Sequence, residues 1–297
     1  MGHTKENENN DHKEEVNVKD KSEIEGKAFH NSELIRLSWK RLHKPDPKPI
    51  LLSTVGVARG EKAFHYWCDW FIASGSRTPL FGNPRILPRT IFVRKDQVEY
   101  FFETIYPHIP EYHSYILILA DCDATTPRQI DFRFKEKPIK ENTWNSIVNN
   151  HQIKHIFLSN LDVPATDRYS PIPIGFNPKE FPNACTDALL DLKFNINILE
   201  RPLNIIGCCR IRSGPQWDDR RKAQHLCTTA WSKFAKWQGL PSGLDFCLKL
   251  QEFSFLICAH GGGIEPNPKA FCAILSGTIP IMKRFVNCEL IYENMPV

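Results

Sequence analysis

The chain has 297 residues, of which 41% are hydrophobic and 24% charged, with a formal net charge of +4. That length suits one large α/β domain or two ordinary ones, and the mild charge is spread among acidic residues instead of forming the dense basic stripe that nucleic acid demands. The ten cysteines include no C-x-x-C pair, no apolar run approaches the ~20 residues of a membrane span, and the first thirty residues are polar, so the expectation is a cytoplasmic protein with reduced thiols.

Residues 1–33 are rich in Glu, Asn, Lys and Asp and carry too few apolar groups to offset the entropy of ordering, so they are expected to form a disordered tail. The proline-rich Lys44–Pro49 leads into the first expected strand, Ile50–Thr54. Further strands are expected at Thr90–Val93, Tyr115–Ala120, His155–Ser159 and Ile172–Ile174, with helices over Glu61–Ala73, Asp96–Ile105 and Asn142–Val148. Asp96 would cap the second helix, whose Val98, Phe101, Phe102 and Ile105 fall on one face. A second series follows: strand Leu203–Cys209, a long helix Asp218–Lys236, helix Leu244–Leu250, strand Ser254–Cys258, helix Pro268–Ser276 and strand Thr278–Met282. Short apolar runs alternating with helical patterns imply βαβ units and mainly parallel sheets. The expected domains are 34–200 and 201–297, with the boundary near Asn195–Pro202, and the ending at Val297 suggests that the second domain is incomplete.

The strongest local signal runs from Phe253 to Phe271. A buried strand enters His260-Gly261-Gly262-Gly263, and the chain restarts as a helix with Asn267 as N-cap and Pro268 at its first position. Glycines let backbone amides approach a ligand, and a helix start carries a partial positive charge, so this geometry suits an anion such as phosphate. A tight turn that needs positive φ explains three glycines equally well. Neither G-x-G-x-x-G nor a P-loop Lys-Ser/Thr is present.

The segment Phe253–Val297 resembles the donor-binding motif of exostosin-like and related GT-B glycosyltransferases: strand, glycine loop, acidic residue, helix, and then Gly277-Thr278-Ile279-Pro280-Ile281. Phe157–Asp162 with Ile172–Phe176, and Ile91–Arg94 with Leu117–Asp123, are similar to earlier parts of that family, so the likeness covers about residues 90–297. It implies an α/β fold of the GT-B kind, with two Rossmann-like domains whose mainly parallel sheets face a cleft. It also implies a nucleoside-diphosphate sugar as donor, a glycan or glycoconjugate hydroxyl as acceptor, inversion at the anomeric carbon and no required cofactor. The family usually has a glutamate where this chain has Cys272, so the contact to the donor's ribose would have to come from another group such as Glu265.

The donor-side candidates are Arg210, Arg212, Arg220, His260, Gly261, Gly262, Gly263, Glu265, Asn267 and Lys269, because guanidinium groups and amides suit a diphosphate. Asn160 and Asp162 end a strand and are expected on the acceptor side, with Asp123 as the base that takes the acceptor's proton. Asp121-Cys122-Asp123 also has the D-x-D form that holds Mg²⁺ or Mn²⁺ in GT-A transferases, which leaves a metal-dependent GT-A enzyme as an alternative. A catalytically inactive sugar-nucleotide or glycan-binding module is the other.

Overall fold

The computed structural model describes residues 68–72, 80–82, 86–120, 123–131, 136–175, 200–211, 217–241, 244–261 and 263–293. The expected tail, the strand Ile50–Thr54 and most of the Asn195–Pro202 boundary lie outside the described residues.

The strands form two separate sheets. The first has six strands: β1 (Trp70–Ile72), β2 (Leu80–Gly82), β3 (Thr90–Arg94), β4 (Tyr115–Ala120), β5 (Ile153–Leu158) and β6 (Tyr169–Pro171), in the order β2-β1-β3-β4-β5-β6. All neighbours are parallel except the β1–β2 pair. The second sheet has β7 (Ile205–Gly207), β8 (Ala235–Trp237), β9 (Phe255–Ile257) and β10 (Ile279–Ile281), in the order β10-β9-β7-β8, and is wholly parallel. The helices are α1 (Val98–Tyr100), α2 (Glu141–Val148), α3 (Asp218–Thr228), α4 (Leu244–Leu250), α5 (Lys269–Leu275) and α6 (Cys288–Tyr292). Two separate, mainly parallel sheets with flanking helices are the α/β architecture expected. No helix of the described residues is long and apolar enough to cross a membrane.

The first sheet is apolar on both faces, as parallel sheets are. Ile91 and Val93 on β3, with Leu117 and Leu119 on β4, pack against Phe101, Ile105 and Ile147 from the helices. Phe92, Ile118 and Ala120 point to the opposite face and meet Phe71 and Cys68. In the second sheet, Ile206, Leu256 and Cys258 bury against α4 and α5 through Phe246, Cys247, Leu250, Ala270 and Cys272.

Several expected elements are corrected. The helix drawn through Ala73 cannot hold over 70–72, where Trp70, Phe71 and Ile72 form strand β1. These bulky aromatic and β-branched side chains fill the two faces alternately, which a pleated strand permits and a one-sided helix does not. Asp96 makes no capping hydrogen bond, because its carboxylate pairs with the Arg94 guanidinium at 3.3 Å. The segment it was to cap divides into a 3₁₀ turn, α1, a π turn at Phe101–Ile105 and a further 3₁₀ turn at Tyr106–His108. The long helix stops at Thr228. Thr228 Oγ1 bonds Gln224 O (3.0 Å) and Thr229 Oγ1 bonds His225 O (2.6 Å), and β8 follows where helix was expected. The strand expected at Ile172–Ile174 is β6, three residues earlier. Ile172 still donates to Leu158 O (2.9 Å), and the chain then leaves for the second unit.

Candidate functional site

The carboxyl ends of parallel strands are where open α/β sheets bind ligands, and here those ends of the two sheets meet. The turn after β5 carries Ser159, Asn160 and Asp162. The loop after β9 carries His260 to Gly263. Asn160 has a left-handed backbone (φ 51°), which asparagine tolerates better than most residues. Its N–H donates to Glu265 Oε1 (2.6 Å), and the Ile174 N–H donates to Glu265 Oε2 (2.9 Å). In return Asn160 Oδ1 accepts the N–H groups of Ile264 (3.1 Å) and Glu265 (3.3 Å). Gly263 has φ +70°, and a Cβ on it would lie 2.1 Å from Asn160 Oδ1. The glycine turn is therefore moulded around a side chain of the other sheet's unit.

Within the loop, His260 and Pro266 form a β-bridge, and Asn267 Nδ2 donates to Ala259 O (2.7 Å). Asn267 Oδ1 accepts the Lys269 N–H at 3.0 Å, so Asn267 does cap the start of α5. Its carbonyl and that of Pro268 accept the next N–H groups, from Ala270 (3.0 Å) and Phe271 (3.2 Å). This corrects the picture of a helix start offering bare amides. The N–H groups of Ile264, Glu265, Lys269, Ala270 and Phe271 already have protein acceptors, so side chains must carry most of the attraction for an anion.

Those side chains come from the β7 edge. Arg220 on α3 is buried, stacks 4.4 Å from the Trp217 ring, and donates from Nε to His260 O (3.0 Å) and from Nη1 to Arg210 O (2.7 Å). Its Nη2 lies 3.2 Å from where a Cβ on Gly261 would sit, so the guanidinium backs directly onto the glycine turn. Arg210, held in place through its carbonyl, is exposed at the end of β7. Arg212 and Gly262 lie outside the described residues. Lys269 turns inward: Nζ donates to Cys208 O (3.1 Å) and sits 4.9 Å from the Phe246 ring. Burial pushes the Cys208 thiol up to about 11, with Lys269 opposing that rise. His260 places Nε2 3.4 Å from Lys283 O and its ring edge-on to Phe285.

Glu265 is 1% exposed, and its oxygens are engaged by Asn160 of the first unit and by Ile174, which packs in the second unit's core. Burial pushes its carboxyl up to about 7, and the N–H groups of Asn160 and Ile174 pull it back. The expected ribose contact from Glu265 is thus corrected: the residue is a link between units. Cys272 is fully buried in the core between α4 and α5, with Sγ 3.5 Å from Pro268 O, so this position faces away from the loop.

On the other edge, Asp162 is buried. It accepts from Thr125 Oγ1 (2.7 Å) and from the Arg128 N–H (3.1 Å), while its own N–H donates to Thr126 O (2.8 Å). Asp162 therefore shapes the loop after β4 and does not point to solvent. Lys95 reaches the same loop, its ammonium donating to Thr125 O and to Gln129 Oε1. Asp123 is exposed at the start of that loop, and Asp121 lies outside the described residues. Among the described residues no group of three or more His, Cys, Asp or Glu could hold a metal ion.

Sequence reasoning missed Asn287. It has φ 64°, its Nδ2 donates to Leu161 O (3.2 Å) and Val163 O (2.8 Å), and its Oδ1 accepts the Ala165 N–H (2.9 Å). The only signal was an asparagine placed just before the start of α6.

No family model matches the chain, and no curated relative does. Among solved structures, it is similar to the crystal structure of alpha1,3-fucosyltransferase with GDP-fucose, at 14% identity and a TM-score of 0.29. The match covers 69% of this chain and 58% of that one, less than two thirds of its length. The exostosin-like resemblance finds no family match behind it.

Proposed function

We propose that this chain is a glycosyltransferase that moves a sugar from a nucleoside-diphosphate sugar to an acceptor hydroxyl. One observation carries the reading: the carboxyl edges of the two sheets abut, and at their meeting point a glycine turn is backed by the Arg220 guanidinium, which also holds the carbonyl of the exposed Arg210. The diphosphate would lie over Gly261, with Arg210 as the outward cation and the Arg220 charge beneath the turn. A guanidinium there opposes the negative charge that builds on the leaving diphosphate. The acceptor would enter from the β4 and β5 edge, where the exposed Asp123 is the candidate base and inversion the expected outcome. No step in this scheme needs a metal. A cytoplasmic location and a glycan or glycoconjugate acceptor belong to the same proposal.

A second reading, a sugar-nucleotide-binding module without turnover, is favoured by a specific observation. Cys272 is buried, and the helix-start amides are taken up by Asn267 and Pro268. Incubation with a panel of nucleotide sugars, with and without EDTA, separates the readings. Slow release of nucleoside diphosphate that survives EDTA supports the transferase. Binding without release supports the module, and loss of release in EDTA would point to metal chemistry at Asp123.

A further inference from the structure

The pairing of Asn160 with Glu265 is reciprocal, and reciprocity distinguishes it from an ordinary packing contact. The Asn160 side chain holds the two N–H groups that follow Gly263, and the Glu265 side chain holds the N–H of Asn160 and that of Ile174. Both residues are buried, at 2% and 1% exposure, so each lost bond would leave a polar group without water to replace its partner. The backbone agrees: Asn160 at φ 51° and Gly263 at φ +70° are both left-handed, and the glycine leaves room for the carboxamide where any side chain would collide with it.

The clasp also has a second end. The Asn160 carbonyl accepts the Thr126 N–H (3.0 Å), and Asp162, two residues on, fixes Thr125 and Arg128. The loop after β4 and the glycine turn after β9 are thus joined through one residue. Asn287 adds a separate tie farther along, to Leu161, Val163 and Ala165. It keeps the units together without touching the glycine turn.

We infer that Asn160 and Glu265 are a positioning pair: the first unit sets the shape of the second unit's glycine turn, so that the donor site is complete only when the two sheets are clasped. Its functional half rests on the transferase reading. Its structural half stands alone.

The test uses the full chain and its variants Asn160→Ala, Asn160→Asp and Glu265→Gln. Amide exchange of the segment 258–268 is followed beside that of β4, and affinity for GDP and UDP is measured by calorimetry. In Asn160→Ala, exchange at Ile264 and Glu265 should rise roughly tenfold or more while β4 stays protected. Affinity for the nucleotide that the wild type binds should fall about tenfold, as expected for one misplaced contact set. Asn160→Asp keeps an acceptor at the same place but sets a second buried carboxylate beside Glu265, so it should recover both as pH falls and that carboxylate takes up a proton. Glu265→Gln keeps the volume but turns an amide donor toward a backbone N–H, so it should loosen the same segment even if Asn160→Ala fails to fold. Unchanged exchange over 258–268 in the folded variants overturns the inference. Faster exchange with unchanged affinity overturns the positioning role and leaves a structural tie. If the wild type binds neither nucleotide, the transferase reading fails and the exchange data still decide the clasp.

Discussion

The two sheets build their carboxyl edges in different ways. The loop after β4, at the edge of the six-stranded sheet, is self-contained: Asp162, Thr125, Lys95 and Arg128 all come from that unit and satisfy one another. The edge of the four-stranded sheet is not, because its glycine turn takes acceptors from Asn160 and gives Glu265 back to the first unit. A loop of three glycines has little conformational preference of its own. Its shape here comes from a neighbour more than a hundred residues away in sequence, as the separation of 105 between Asn160 and Glu265 shows.

The largest expected effect breaks this dependence outright. Gly263→Ala puts a Cβ 2.1 Å from Asn160 Oδ1 at a left-handed φ, so stability should fall by about 3 kcal/mol or more in urea unfolding. Little or no loss would mean that the turn is not moulded by Asn160.

A comparable effect, read through pH, sharpens the comparison. Glu265 has its carboxyl raised from 4.5 to about 7, chiefly by burial, so the folded state holds that proton more tightly than the unfolded one. The contribution is therefore fully present below pH 4.5, falls as pH rises to about 7, and is flat above. Its size is on the order of 3 kcal/mol, from the free energy of a shift of that extent. Urea midpoints of the wild type relative to Glu265→Gln across this window should show that decline, and parallel curves would contradict it.

The smallest effect is a control outside the junction. Lys283 and Asp219 pair at 3.1 Å with both side chains exposed, so Lys283→Ala should change stability by less than about 1 kcal/mol.

Much of the first sheet was legible because the cores of Thr90–Arg94 and Tyr115–Ala120 and the Ile156–Leu158 end of β5 are apolar runs bounded by polar turns. Three-residue strands such as β1 and β8 carry too few alternations to be told from helix. The glycine loop, the strand before it and the Asn267 cap were legible for the same local reason. What the loop's amides bind was not: Ile264 and Glu265 turn to Asn160 because of a meeting of distant segments, which no spacing along the chain encodes. Arg220 was singled out for its charge, yet its bonds to His260 O and Arg210 O make it as much a brace as a candidate ligand. Lys269 was chosen from its place on the helix, and its inward turn toward Cys208 depends on packing against Phe246.

The central claim is that a nucleoside diphosphate rests on the glycine turn beside Arg210, and calorimetry of the wild type and Arg210→Ala with GDP and UDP tests it most directly. One of the two nucleotides should bind the wild type, and loss of the exposed arginine should weaken that binding by about 10- to 100-fold, roughly 1.5–3 kcal/mol for a charge-assisted contact, with the fold unchanged. Equal affinity in both proteins, or no binding of either nucleotide to the wild type, would contradict it.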